Sequence, residues 1–129
     1  MNDTEMKHIV VIDDDPVIVK ILEKKLNDQG CRVTVATDAP EGLQMVMNQK
    51  PDAVILDVMM PIINGYNICH LIKSEEDTKN IPIILLTSRN EQADVQIGLD
   101  MGADAYLLKP LDSQELFKII KTIFTSSDV

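Results

Sequence analysis

The chain has 129 residues and a mass of 14.4 kDa, a length that suits one compact domain with its own core. Its 12 basic and 21 acidic residues give a formal net charge of −9, which disfavours direct binding to nucleic acid or to anionic membranes. A hydrophobic content of 45% and a mean hydropathy of +0.02 are typical of globular proteins and exclude a disordered or fibrous chain.

Five short β-rich runs alternate along the chain with longer segments of helical periodicity. The predicted strands are His8 to Ile12, Arg32 to Ala36, Ala53 to Leu56, Pro82 to Leu86 and Ala105 to Leu108. The first helix is predicted to begin at Pro16, with Asp15 as its N-cap, and to stop at Gly30. The last is predicted to begin after Asp112. The three helices between them are predicted to begin near Ala39, Asn64 and Glu91.

This alternation predicts an α/β fold with a doubly wound parallel sheet, because parallel neighbours need crossover connections that place helices on both faces. The runs 9–12, 53–56 and 83–86 are apolar throughout, as expected for central strands. The second strand, 32–36, alternates polar and apolar residues, which favours an edge position.

The whole chain, 1–129, is expected to be a single domain with its core over about residues 7–124 and a polar tail over 125–129. No apolar run is long enough to cross a bilayer, and the first residues lack the pattern of a signal peptide, so we expect a cytoplasmic protein. Cys31 and Cys69 lack metal-ligand spacing and are expected to be free thiols.

Chemically active side chains follow four of the five predicted strands. The residues at these positions are Asp13, Asp14, Asp57, Thr87 and Lys109. In an open parallel sheet these positions share the carboxyl edge, where such folds bind their ligands. Three crowded carboxylates need a compensating cation, and hard oxygen donors suit Mg²⁺. With a lysine and a hydroxyl nearby, the sequence predicts a site that accepts phosphate.

Four segments in this order resemble the response-regulator receiver domain of bacterial two-component signalling. They are Ile9 to Pro16 (IVVIDDDP), Ile55 to Pro61 (ILDVMMP), Leu85 to Ser88 (LLTS) and Gly102 to Pro110 (GADAYLLKP). The resemblance covers nearly the whole chain. It implies a flavodoxin-like (βα)5 fold with strand order 2-1-3-4-5 and a cis bond between Lys109 and Pro110.

The resemblance also implies a role for each site residue. Asp57 is the expected phosphoacceptor. Mg²⁺ is expected to bind Asp14, Asp57 and the backbone carbonyl of Met59, with Asp13 assisting through water. The phosphoryl group is expected to contact Thr87 and Lys109, and Tyr106 is the expected aromatic switch. Met59 and Arg89 stand at positions that vary in the family and affect the lifetime of the acyl phosphate.

The chain is expected to be a stand-alone signalling receiver rather than a conventional enzyme. It is expected to take a phosphoryl group from a histidine kinase or a histidine phosphotransfer protein onto Asp57, and to catalyse only that transfer and a slow dephosphorylation. It is expected to signal to a protein target through the face of helix four, strand five and helix five, as a monomer or a phosphorylation-dependent homodimer. Candidate residues on that face are Val95, Lys118 and Lys121.

Three other classes of protein fit the residues less well. An aspartate-nucleophile phosphatase needs a second Asp where Met59 stands. A flavodoxin-like electron carrier needs a phosphate cradle and flavin-stacking rings, but aromatic residues make up only 3% of the chain. A histidine phosphotransfer domain, suggested by the sequence around His70, is all-helical. Neither His70 nor His8 is expected to have a chemical role.

Overall fold

A computed structural model of the chain describes residues 7–60, 65–88 and 92–126, apart from the side chains of residues 92–95 and 126. Within these residues, strands and helices alternate. The strands are β1 (His8–Ile12), β2 (Arg32–Ala36), β3 (Ala53–Asp57), β4 (Ile83–Thr87) and β5 (Ala105–Leu108). The helices are α1 (Pro16–Asp28), α2 (Ala39–Gln49), α3 (Gly65–Ser74), α4 (Gln92–Asp100) and α5 (Ser113–Ser126).

The strands form one parallel sheet in the order β2-β1-β3-β4-β5. This confirms the doubly wound α/β fold and the strand order implied by the family resemblance. The alternating strand β2 lies at an edge of the sheet, as predicted. Every strand runs in the same direction, so the residues that follow β1, β3, β4 and β5 lie along one edge.

Several boundaries differ from the predicted ones by one or two residues. Strand β3 includes Asp57, and strand β4 begins at Ile83 and includes Thr87. Helix α5 continues through Thr125 and Ser126, whereas the sequence predicts a polar tail from residue 125. Residues 127–129 of that predicted tail lie outside the described part of the chain. The predicted starts of α3 and α4, Asn64 and Glu91, also lie outside the described residues, as does Arg89.

Aspartate side chains cap the N-termini of three of the described helices. The Asp15 side chain accepts a hydrogen bond from Val17 N at 2.9 Å, and Asp38 accepts one from Glu41 N at 2.8 Å. Asp112 accepts one from Gln114 N at 2.9 Å. These bonds satisfy backbone N–H groups that have no partner within the helix. Asp15 and Asp112 therefore mark the helix starts that the sequence predicted.

The hydrophobic core has two layers, one on each face of the sheet. Along β1, the side chains of Val10 and Ile12 pack in the layer beneath α2 and α3, whereas Ile9 and Val11 pack in the layer beneath α1 and α5. All five residues of β1, β3 and β4 are buried. Cys31 and Cys69 are buried free cysteines, as predicted.

Helix α2 approaches β1 closely at a glycine. A Cβ atom on Gly42 would lie 2.6 Å from Cδ1 and 2.7 Å from Cγ1 of Ile12, so no larger residue fits without moving that side chain. Ile12 directly precedes Asp13, so this contact lies next to the point where β1 ends. Among the described helices, none has both the length and the apolar character to cross a membrane.

Candidate functional site

Three carboxylates meet at the carboxyl edge of the sheet. Ligand oxygens of Asp13, Asp14 and Asp57 all lie within 4.8 Å of one another. Asp13 is fully buried and Asp57 is 4% exposed, whereas Asp14 is exposed to solvent. The sequence prediction that these acids converge is thus confirmed in the geometry, and two of the three are removed from water.

Lys109 brings a positive charge to the same place. It directly follows β5, its backbone N–H donates to Thr87 O at 2.8 Å, and its peptide bond to Pro110 is cis, as the resemblance implied. Its Nζ lies 3.1 Å from Asp13 Oδ2 and 3.6 Å from Asp57 Oδ1. One lysine therefore faces both buried carboxylates.

Backbone N–H groups hold one oxygen of each buried carboxylate. Asp15 N donates to Asp13 Oδ1 at 2.9 Å, and Met59 N donates to Asp57 Oδ1 at 3.2 Å. The other oxygen of Asp13, Oδ2, is buried and faces the Lys109 ammonium without a well-aligned hydrogen bond among the described residues. A buried anionic oxygen in this state has capacity for a further cationic or hydrogen-bonding partner.

Burial raises the pKa of Asp57 to about 6, with a further contribution from the neighbouring Asp13 carboxylate. The Met59 N–H and the Lys109 ammonium act in the opposite direction without cancelling the shift. Burial by itself would lower the pKa of Lys109, but its contacts with Asp13 and Asp57 outweigh burial and raise it. Lys109 therefore stays charged at neutral pH, while Asp57 ionises at a cost.

The donor set fits Mg²⁺. The cluster offers hard carboxylate oxygens, one solvent-facing acid and a buried oxygen with spare capacity, and Mg²⁺ favours a few carboxylates while it retains water or phosphate ligands. Met59 donates its backbone N–H to Asp57, and the residue is 59% exposed.

Thr87 and Tyr106 lie on adjacent strands. Thr87 is buried at the end of β4, and Tyr106 is half-buried on β5, in register with Leu85. Leu85 and Tyr106 pack in the same core layer, beneath α2 and α3. Side chains two residues apart on a strand share a face, so Thr87 lies on the face that Tyr106 occupies.

Sequence reasoning missed Gly65 as part of the site. A Cβ atom on this residue would lie 2.3 Å from Asp57 O and 2.7 Å from Val58 Cα, so only glycine lets α3 begin against the end of β3. Its N–H donates to Val58 O at 3.0 Å. The available signal was a glycine near a predicted helix start, eight residues after Asp57.

The two histidines lie away from the carboxylate cluster. His70 is exposed on α3. His8 is buried at the opposite end of β1, where its Nε2 lies 2.8 Å from Thr34 Oγ1. Burial and the neighbouring Arg32 lower the pKa of His8, with an opposing contribution from Asp52. Neither histidine contributes to this site.

Residues 9–121 match the family model of the response regulator receiver domain. The chain belongs to this family. Receiver domains are the phosphorylation-dependent signalling switches of two-component systems, so the function class predicted from the four motifs is confirmed. The family is one of signalling receivers rather than conventional enzymes, and its members interact with histidine kinases or phosphotransfer proteins.

The receiver is similar to curated and solved proteins over most of its length. It is 41% identical over 118 residues to the transcriptional regulatory protein AfsQ1 of Streptomyces coelicolor, covering 92% of this chain and 51% of that protein. The chain thus spans about half the length of the curated relatives it matches.

Two solved structures match closely. A response regulator structure from Chloroflexus aurantiacus has a TM-score of 0.89 and 34% identity, covering 94% of this chain and 99% of that one. The receiver domain of the sensor histidine kinase PA1611 from Pseudomonas aeruginosa has a TM-score of 0.86 and 30% identity, covering 93% and 98%. That structure has a magnesium ion coordinated in its active-site cleft.

The raised pKa of Asp57 predicts a pH-dependent cost in stability. The folded receiver binds the Asp57 proton more tightly than the unfolded chain, in which this carboxyl has its usual pKa of 3.8. The free energy of unfolding therefore falls as pH rises from about 4 to about 6, and it stays lower above pH 6. We predict that Asp57→Asn raises the free energy of unfolding at pH 7 by about 1 to 3 kcal/mol. The gain should shrink as pH falls through this window.

Urea unfolding in EDTA across this pH range measures the effect. Asp77→Asn, at an exposed acid, is the matched control and should give no such pH-dependent gain. A less stable Asp57→Asn variant at pH 7 would show that the ionised carboxylate does not destabilise the fold.

Proposed function

We propose that this receiver accepts a phosphoryl group on the carboxylate of Asp57 from a phosphohistidine of a histidine kinase or a histidine phosphotransfer protein. The observation that carries the proposal is the buried Asp57 carboxylate, held within 3.6 Å of Lys109 and inside a cluster of three acids. A carboxylate oxygen attacks phosphorus, the P–N bond of the phosphohistidine breaks, and the electron pair leaves with the imidazole nitrogen.

The side chains around Asp57 position the phosphoryl group and offset its charge. The Lys109 ammonium faces the acceptor carboxylate, and the Thr87 hydroxyl, at the end of the adjacent strand, is the proposed donor to a phosphoryl oxygen. Positioning and charge stabilisation supply most of the acceleration in phosphoryl transfer. The same groups support the slow hydrolysis of the acyl phosphate. The proposed catalysis is therefore limited to the phosphorylation and the dephosphorylation of the receiver itself.

Mg²⁺ is the proposed cofactor. Asp14, Asp57 and the Met59 carbonyl would hold it, with Asp13 assisting through water, as the family resemblance implies. When bound, the ion neutralises charge on the carboxylates and on the incoming phosphoryl oxygens. The magnesium in the similar PA1611 receiver supports this assignment. A cytoplasmic location, also proposed, suits the two free cysteines.

The proposed output is a rearrangement of α4, β5 and α5. Phosphorylation adds a bulkier dianion at Asp57, and Thr87 moves toward it to donate a hydrogen bond. Tyr106, on the same sheet face, turns inward to fill the space that Thr87 leaves. Two arrangements of one packed region are then biased by the phosphate.

The surface of these elements supports a role in binding a target or a second copy. Apolar side chains of Ile97, Leu99 and Leu108 are exposed there, together with Lys118 and Lys121 on α5. Such exposed apolar groups suit a binding surface. The third residue predicted for this face, Val95, has its side chain outside the described part of the chain.

Phosphorylation of Asp57 is the first expected outcome. Incubation with a small phosphodonor and Mg²⁺ should add one phosphoryl group that hydroxylamine removes, and Asp57→Asn should abolish the addition because it removes the nucleophile. Intact-mass spectrometry measures both. The exposed-acid variant Asp77→Asn should be labelled like the wild type. Full labelling of Asp57→Asn would assign the phosphoryl group elsewhere.

Asp14 is expected to contribute directly to Mg²⁺ affinity. Since even outer-shell changes at metal sites cost 10-fold or more, Asp14→Ala should weaken Mg²⁺ binding by at least about tenfold, as measured by calorimetric titration. The same variant should unfold at a higher temperature in EDTA, because one of three like charges is gone. Asp77→Ala serves as control. An unchanged Mg²⁺ affinity would remove Asp14 from the ligand set.

The switch is expected to be visible in amide NMR. Beryllofluoride, a phosphoryl mimic, should shift the amides of Thr87 and Tyr106 and those along α4 and α5 when Asp57 is occupied. Tyr106→Ala should keep the shift at Thr87 and lose the shifts on α5, because the ring that fills the space is absent. Occupied Asp57 with unshifted Thr87 and Tyr106 would leave a phosphate carrier without a switch.

A further inference from the structure

A polar cluster at the edge of the sheet opposite Asp57 joins three parts of the fold. Lys73, near the end of α3, donates from Nζ to Ile81 O at 2.7 Å and to Asp104 Oδ2 at 2.9 Å. Asp104 Oδ2 also accepts from Ile83 N at 2.8 Å, and Asp104 N donates to Ile83 O at 2.9 Å. The Lys73 side chain is only 16% exposed. These bonds fasten α3 to the start of β4 and to the α4–β5 connection.

The same end of α3 contacts the residues that follow α4. Gly102 has a φ of 98°, and a Cβ atom there would lie 2.9 Å from Lys73 Cγ, so the lysine stem packs directly on this turn. The Cys69 thiol donates to Met101 O at 3.5 Å. Burial raises the pKa of Cys69 to about 11, which keeps this thiol protonated and able to donate.

The side chains of α4 that the structure describes, those of residues 96–100, are mostly exposed. Over residues 96–100 only Gly98 is buried, and the others are exposed. A Cβ atom on Gly98 would lie 2.9 Å from Leu85 Cδ1 and 3.6 Å from Tyr66 Cε1, so the helix rests on β4 and α3 at this point. Among residues 96–104, the described contacts with the rest of the fold are therefore at Gly98 and at the turn after α4, where Lys73 lies.

The other end of α3 packs against the end of β3, where Asp57 lies. Gly65 packs against the backbone of Asp57 and donates to Val58 O, as described above. The ten residues of α3 form a rod of about 15 Å between the acceptor strand and Lys73. One rigid element thus connects the phosphorylation site with the end of α4.

We propose that Lys73 is a positioning residue that couples α4 and β5 to Asp57 through α3. Its ammonium group holds the α4–β5 connection in one place, so that a change at Asp57 is transmitted to Tyr106 rather than lost in local motion of the connection. This inference rests on the proposed function, and it adds a connection by α3 to the one through Thr87.

Lys73→Met tests this coupling, because methionine keeps an apolar stem against Gly102 and removes the donor. Lys79→Met, at an exposed lysine paired with Glu76, is the matched control. In Lys73→Met, the amides of Met101 and Asp104 should exchange with solvent about tenfold faster than in the control, from the loss of a charged hydrogen bond. The beryllofluoride-induced shift of the Tyr106 amide should also become smaller.

A second variant distinguishes the loss of the Lys73–Asp104 pair from a general folding defect. Asp104→Asn removes the charge but keeps an oxygen that can accept from Ile83 N, and it should show the same two effects. The double variant with Lys73→Met should add little, because the two residues act as one pair. If the beryllofluoride-induced shift of the Tyr106 amide in Lys73→Met equals that in Lys79→Met, the coupling role is overturned, whether or not amide exchange is faster.

Labelling of Asp57 by a small phosphodonor is measured in every variant. A wild type that is not labelled refutes the proposed function, and the coupling proposal with it. A wild type and a Lys73→Met variant that are both labelled, with Tyr106 responding equally in the two, refute only the coupling proposal. Labelling of both with a weakened response at Tyr106 supports it.

Discussion

The repulsion among three carboxylates, only partly offset by the ammonium group of Lys109, is the constraint on which the rest of this receiver depends. Two of the acids, Asp13 and Asp57, are buried, and the fold must supply the free energy that holds them together. It does so with fully buried strands that end at the same edge. The same unfavourable crowding favours a divalent cation, because the cation meets negative charge that the protein alone does not balance. A phosphoryl group would add further negative charge, which the proposed Mg²⁺ and Lys109 would together offset.

The hydrophobic pattern of the sequence was sufficient to predict the α/β class, the strands and the edge position of β2. The convergence of Asp13, Asp57 and Lys109 followed from one rule, that the carboxyl ends of parallel strands share an edge. The order of the strands did not follow from the pattern. It came from the family resemblance, since periodicity identifies which residues are buried but not which strand is the neighbour of another.

The remaining details depend on backbone positions that side-chain patterns do not encode. The donors to the buried carboxylates are the N–H groups of Asp15 and Met59, and every residue except proline carries such a group. The close approach of Gly65 to Asp57 is a matter of available space. The continuation of α5 through Thr125 was missed because helix ends are set by backbone hydrogen bonds as well as by side-chain polarity.

At Gly42, helix propensity and packing against Ile12 favour different residues. Alanine favours a helix over glycine by about 1 kcal/mol, so a stabilisation strategy guided by propensity would choose it for α2. Here the added methyl group would push on the residue that precedes Asp13. A change made to strengthen α2 would therefore push on the strand that leads into the carboxylate cluster, although it touches none of the three acids. For this receiver, the sequence constraints that protect the carboxylate cluster therefore extend to a position on a different element.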